Sequence, residues 1–169
     1  ISMAKPHILI VEARFYADLA DEQVAGAIEA IESVGGTWER VEVPGALEIP
    51  GAVKFAEVGS ATKFDGYVAL GCVIRGRTSH YDVVVNESAR GLMLLGLQGV
   101  AIGNGIITVE NMEQAEERAD TERLDTAGGA AAAALHLIAL ARRFGQPEKP
   151  MGFTQDILLA SEGKGPTTA

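Results

Sequence analysis

One cysteine, Cys72, stands in a chain of 169 residues, which excludes an internal disulfide and a thiolate metal centre and suits a reducing compartment. The three histidines, His7, His80 and His136, lie far apart and without carboxylates at ligand spacing, so no metal site is expected. Aromatic residues make up only 5% of the chain, and a core has to be assembled from Ala, Val, Ile and Leu. Basic residues are outnumbered, 14 against 23 acidic ones, for a net charge of -9. That balance argues against nucleic acid and against anionic membrane surfaces as partners. An anionic ligand would have to be held by local cations rather than by the overall field. No run of eighteen apolar residues occurs, nor a charged N-terminal segment leading into a long apolar one, and the expectation is a soluble, cytoplasmic protein. No internal repeat is found.

What the chain does have is an alternation of short apolar runs and helical patterns. With 47% hydrophobic residues it has enough apolar surface for one domain, read here as residues 1–144. The remainder, 145–169, is rich in Pro and Gly and reads as a flexible tail. His7–Glu12 is a nearly continuous apolar run, as a strand covered on both faces requires. A helix follows from about Asp18 to Val34, closed by Gly35-Gly36. Trp38–Val43 alternates and reads as a second strand nearer an edge. Pro44-Gly45 turns the chain into a second helix, Ala46–Val58, with Pro50 in its first turn.

A third strand is expected over Phe64–Ile74, a third helix over His80–Leu97 and a fourth strand over Val100–Thr108. A helical region begins near Asn111, and Gly128–Phe144 forms a closely packed final helix. Gly103-Asn104-Gly105 reads as a turn or bulge. Four alternations of strand and helix demand right-handed crossovers and a mostly parallel four-stranded sheet covered on both faces, a flavodoxin-like three-layer α/β/α sandwich. Ligands in such sheets bind at the carboxyl ends of strands. Phe15, Ala46–Glu48 and Arg75–His80 all fall just after strands.

The junction between the third strand and third helix carries the strongest chemical signal. Arg75-Gly76-Arg77-Thr78 interrupts the apolar run, and Thr78 or Ser79 is placed as an N-cap, leaving backbone N–H groups for an anion beside Arg75 and Arg77. His80 sits in the first helical turn, where an imidazole is either a proton carrier or a surface and capping residue. Phe15, just past the first strand, is placed to stack on a flat heterocycle or to pack in the core. Glu48 at a helix start offers a carboxylate or only a charge favourable to the helix dipole. Cys72, inside an apolar run, reads as a small buried hydrophobe rather than a nucleophile.

Four blocks in order, Ala13-Arg14-Phe15-Tyr16, Val43–Pro50 (VPGALEIP), Gly71–Asp82 (GCVIRGRTSHYD) with Asn86-Glu87-Ser88, and Gly105–Asn111 (GIITVEN), closely resemble the lumazine synthase family over about residues 7–144. The resemblance implies condensation of 5-amino-6-ribitylaminouracil with 3,4-dihydroxy-2-butanone 4-phosphate, without a cofactor, to give 6,7-dimethyl-8-ribityllumazine, phosphate and water. It implies His80 as the acid and base, Phe15 against the pyrimidine, Ala46, Leu47 and Glu48 at the ribityl chain, and Cys72, Val73 and Ile74 meeting the pyrimidine through backbone groups. Arg77 and Thr78 would meet the phosphate. Asn104 and Arg118 would come from a neighbouring subunit of a homopentamer with shared sites, Arg118 clamping the phosphate.

Two departures stand out. Asn104 replaces a phenylalanine that many members carry, and Thr126-Ala127-Gly128 stands where a lysine is often found. A non-enzymatic flavin- or lumazine-binding pentamer, or a scaffold of the same fold, is the alternative; such a protein would not require the proton carrier.

Overall fold

The computed structural model describes residues 4–59 and 61–145. The tail expected over 145–169 lies, from residue 146 onward, outside the described residues. Four strands form one sheet in the order β2-β1-β3-β4: β1 (His7–Ala13), β2 (Thr37–Val43), β3 (Gly66–Ile74) and β4 (Ile102–Val109). All three pairings are parallel, as the strand and helix alternation predicts. β1 is buried along nearly its whole length, which accounts for its unbroken apolar run. β2 is an exposed edge that carries the charged residues Glu39, Arg40 and Glu42, as edge strands commonly do. The chain passes from β1 to one side for β2, then returns to the other side for β3. The order reverses between β1 and β3, and a crevice opens at their carboxyl ends.

Helices cover both faces. Ile8, Ile10, Val68 and Leu70 meet α1 (Ala17–Ser33) and α5 (Thr126–Phe144). The alternate set, including Leu9, Val11 and Ala69, meets α2 (Ile49–Val58) and α3 (His80–Leu97). A smaller cluster packs α4 (Met112–Ala119) against Ile107 and Val109 at the end of β4. The buried alanines of α5, at positions 127, 130, 131 and 134, bring its backbone close to the sheet. That approach corrects the expectation of a turn or bulge at Gly103-Asn104-Gly105: the three residues lie within β4. A side chain on Gly103 would collide with the Ala130 carbonyl, and one on Gly105 would meet Leu70 and the Ala130 methyl.

Boundaries also move: β4 starts at Ile102 rather than Val100, and α5 at Thr126 rather than Gly128. The second helix opens as a 3-10 turn, Ala46–Glu48, before α2 begins at Ile49. Pro50 then falls at the helix start, where its missing N–H costs no bond. The third strand starts at Gly66 rather than Phe64 because the preceding residues clasp the start of β1. The Phe64 ring stacks on His7 at 5.1 Å. The His7 N–H donates to Asp65 Oδ2 at 2.7 Å, and the Asp65 N–H donates to the His7 carbonyl at 2.8 Å.

Buried polar groups do the remaining fastening. Gln23 is 1% exposed, and its amide donates to the carbonyls of Gly71 at 2.9 Å and Gly105 at 3.0 Å. One α1 side chain thus holds the carboxyl-end halves of β3 and β4. Glu12 is likewise buried and accepts a bidentate pair from Arg40 at 2.8 and 2.9 Å, with a further bond from Arg14 at 2.8 Å. Burial alone would raise the Glu12 pKa, but the two guanidinium groups outweigh it and hold the carboxyl below its ordinary value.

An unfolded glutamate titrates near pH ~4.3. Folded Glu12 therefore contributes stability that is present above that pH and is lost as pH falls through its lower folded pKa. The urea midpoint is expected to drop as pH is lowered below about 4, and the drop should be shallower in a Glu12→Gln variant. Equal slopes for the two proteins would show that other carboxylates set the acid limit.

Candidate active site

The reversal between β1 and β3 gathers three loops around one cleft of about 530 Å³. Ala13, Phe15 and Tyr16 enter from β1, Pro44–Glu48 from β2, and Cys72–Ile74 with His80 and Val84 from β3 and α3. Eight of the residues singled out from sequence line it: Phe15, Ala46, Leu47, Glu48, Cys72, Val73, Ile74 and His80.

The register explains why β3 offers backbone here. Its ladder with β1 ends at Glu12 and Leu70, while its ladder with β4 continues to Ile74 and Val109. Beyond Leu70 the β1 side of β3 has no strand beside it, and polar main-chain groups there need another partner. Gly71 has its carbonyl taken by Gln23 at 2.9 Å, which leaves Cys72–Ile74 as the stretch facing the cleft.

Phe15 is not a core residue. Its side chain is 77% exposed and stands edge-on to Tyr16 at 4.9 Å, so it packs in no core cluster and presents a face to the cleft. Glu48 closes the 3-10 turn, its N–H donating to the Gly45 carbonyl at 3.2 Å, and stays exposed at the opposite wall. Cys72 is half-buried rather than fully buried, and burial pushes its thiol up to about 11. At neutral pH it is protonated, which removes it as a nucleophile.

The loop from β3 to α3 departs from expectation at Arg75. Its guanidinium lies over the Tyr81 ring at 4.1 Å and bonds Glu110 at 3.0 and 3.1 Å and Asp82 at 3.3 Å. It fastens the loop to the end of β4 and is not available to an anion. Arg77 is left, among the described residues, without a carboxylate partner in the ion pairs, and it is exposed. Ser79 occupies the N-cap position of α3 without a side-chain cap. Thr78 instead accepts from the His80 N–H at 3.3 Å, so the helix start is partly satisfied from within. Neither Arg77 nor Thr78 lines the cleft; both belong to the loop that leads into His80.

Two of the sequence-selected residues are not brought in at all. Asn104 lines a separate apolar groove of about 550 Å³ along the outer edge of β4, with Met93, Leu97, Leu137 and Phe144. Its Oδ1 accepts from the Ile106 N–H at 3.0 Å. Arg118, on α4, donates to the Gln114 carbonyl at 3.2 Å and lies 4.0 Å from Glu117. One chain's cleft therefore contains Phe15 and His80, but not Asn104 or Arg118.

Sequence reasoning passed over Gln23 and the Glu12, Arg14 and Arg40 cluster. The one signal available was a polar residue on the apolar face of a helix, since Gln23 falls among Leu19, Ala20, Val24 and Ala27.

Comparison with known proteins points the same way. A model of the 6,7-dimethyl-8-ribityllumazine synthase family matches residues 5–142. A protein of Jannaschia sp. (strain CCS1) named 6,7-dimethyl-8-ribityllumazine synthase is 57% identical over 153 residues, covering 90% of this chain and 85% of its own. Proteins of the same name from Sphingopyxis alaskensis and Bartonella henselae are 56% and 53% identical. These cover 82% and 84% of this chain, and 97% and 92% of their own.

Proposed function

The chain belongs to the 6,7-dimethyl-8-ribityllumazine synthase family, and we propose that the cleft between β1 and β3 is where its two substrates of riboflavin biosynthesis condense. The observation that carries this reading is the meeting, in one cleft, of an exposed aromatic face, an unpaired strand edge and a histidine at a helix start. The uracil ring lies against Phe15 and is read on its edge by the backbone of Cys72–Ile74. The ribityl chain runs toward Ala46, Leu47 and Glu48. The butanone phosphate points to Arg77, Thr78 and the start of α3, where backbone dipoles favour an anion.

The chemistry is a series of proton transfers around two new C–N bonds. The amine at carbon 5 of the uracil attacks the ketone and water leaves. Phosphate is then eliminated, and the ribityl-bearing nitrogen closes the second ring with loss of another water. His80 takes and returns protons at these steps, and binding both substrates side by side supplies much of the acceleration. No step calls for a cofactor.

Arg118 and Asn104 are supplied by a neighbouring subunit. The apolar groove along the β4 edge supports that arrangement, because Asn104 lies there among Met93, Leu97 and Phe144, exposed apolar side chains that a second copy would cover. A closed ring repeats this head-to-tail contact, and we assign it five subunits.

Purified protein mixed with both substrates is expected to raise lumazine absorbance above the enzyme-free rate. An unchanged rate together with tight binding of lumazine or riboflavin would move the protein to a non-catalytic binding or scaffold role.

A further inference from the structure

Phe15 is a large aromatic held in place by almost nothing of its own. It is 77% exposed, and its ring meets only that of Tyr16 among the described aromatic contacts, edge-on at 4.9 Å. Its direction is therefore set by the backbone on either side. The residue before it, Arg14, is the reverse case. Its side chain is only 20% exposed and reaches three carboxylates on three elements. It donates to Glu12 on β1 at 2.8 Å and to Asp21 on α1 at 2.5 Å, and lies 3.5 Å from Glu42 on β2. A further bond of 3.5 Å goes to the Ala17 carbonyl in the first turn of α1. Glu12 is itself fixed by the bidentate pair from Arg40.

We propose that Arg14 is a positioning residue for the condensation: its clamp on Glu12, Asp21 and Glu42 locks the loop after β1 so that Phe15 presents its face to the pyrimidine. The guanidinium suits this role because its planar fork bonds several carboxylate oxygens in fixed directions, which an ammonium group does not. The clamp lies on the α1 side of the sheet while Phe15 faces the cleft, so Arg14 acts without touching substrate. This inference rests on the reading that Phe15 stacks on the pyrimidine.

Four variants of the full chain decide the matter, with the KM for each substrate as the readout. Phe15→Ala is expected to raise the KM for ribitylaminouracil roughly three- to ten-fold, the size of an aromatic stacking contribution, with the KM for butanone phosphate unchanged. Arg14→Met should raise the same constant and spare the other, and Arg14→Lys should recover part of the loss. In Arg14→Met combined with Phe15→Ala, the constant should be no higher than in Phe15→Ala alone, because Arg14 acts only through Phe15.

Effects that multiply in the double variant, or a normal uracil KM in Arg14→Met beside a raised one in Phe15→Ala, would overturn the clamp and leave the stacking reading intact. A normal constant in Phe15→Ala would overturn the stacking reading, and the clamp with it. Should Arg14→Met not fold, Asp21→Ala, which removes one exposed arm of the clamp, takes its place in the same cycle. Its effect must likewise vanish in the Phe15→Ala background.

Discussion

Replacing His80 by alanine is expected to slow the condensation by roughly ten- to a thousand-fold, around or below the usual span for one general acid or base, while both substrates still bind. The position carries the argument. His80 is the first residue of α3, delivered to the cleft by a loop that Arg75 fastens to Glu110 and Asp82. Its backbone N–H meets Thr78, so the substitution leaves the helix start intact and removes only the imidazole.

The loss stops short of the largest general-base effects because two substrates held side by side react with each other through proximity. Turnover under saturating concentrations of both substrates is the measurement. A variant that keeps the full rate would make His80 a surface residue at a helix start.

Gly103→Ala is expected to cost about 3 kcal/mol or more, at the upper end of overpacking effects, or to prevent folding. The added methyl would occupy the place of the Ala130 carbonyl oxygen. That oxygen belongs to the backbone of α5, so neither a rotamer change nor a small tilt of a side chain relieves the clash. Gly129→Ala is the matched control on α5 itself. Nothing lies within 4 Å of its added methyl, and a helical glycine replaced by alanine gains about 1 kcal/mol from propensity. Urea midpoints of the two variants should move in opposite directions; a Gly103→Ala midpoint equal to that of the parent would mean that α5 does not press on β4 as described.

The layered architecture was legible because it is written in local pattern. The run at His7–Glu12, the alternation at Trp38–Val43 and the period of three to four after His80 each identify their element without reference to the rest of the chain. Placement of Phe15, Ala46–Glu48 and His80 at one end followed from chain order alone, since parallel strands put every loop after a strand on the same side.

What the sequence withheld depended on contacts between distant segments. Gly103 and Gly105 look like turn residues by type, and only the approach of α5 explains their presence within a strand. Arg75 looks like an anion ligand beside Arg77 until Glu110, at the far end of β4, is seen to claim it. Gln23 and Arg14 gain meaning from carbonyls and carboxylates on other elements, which no periodicity reports. Asn104 and Arg118, singled out through family resemblance, lie in one chain's geometry outside the cleft that holds His80.

The proposed sharing of the cleft between neighbouring subunits is tested most directly by mixing two disabled subunits. His80→Ala and Arg118→Ala chains, co-expressed and purified as mixed oligomers, are assayed at low butanone phosphate, where each parent alone is slow. If the cleft of one chain takes Arg118 from its neighbour, an Arg118→Ala subunit placed beside a His80→Ala subunit rebuilds a complete site. Random assembly of equal amounts then restores about one quarter of the unmodified rate. A rate no higher than the mean of the two parents would place every site within a single chain and contradict the shared cleft.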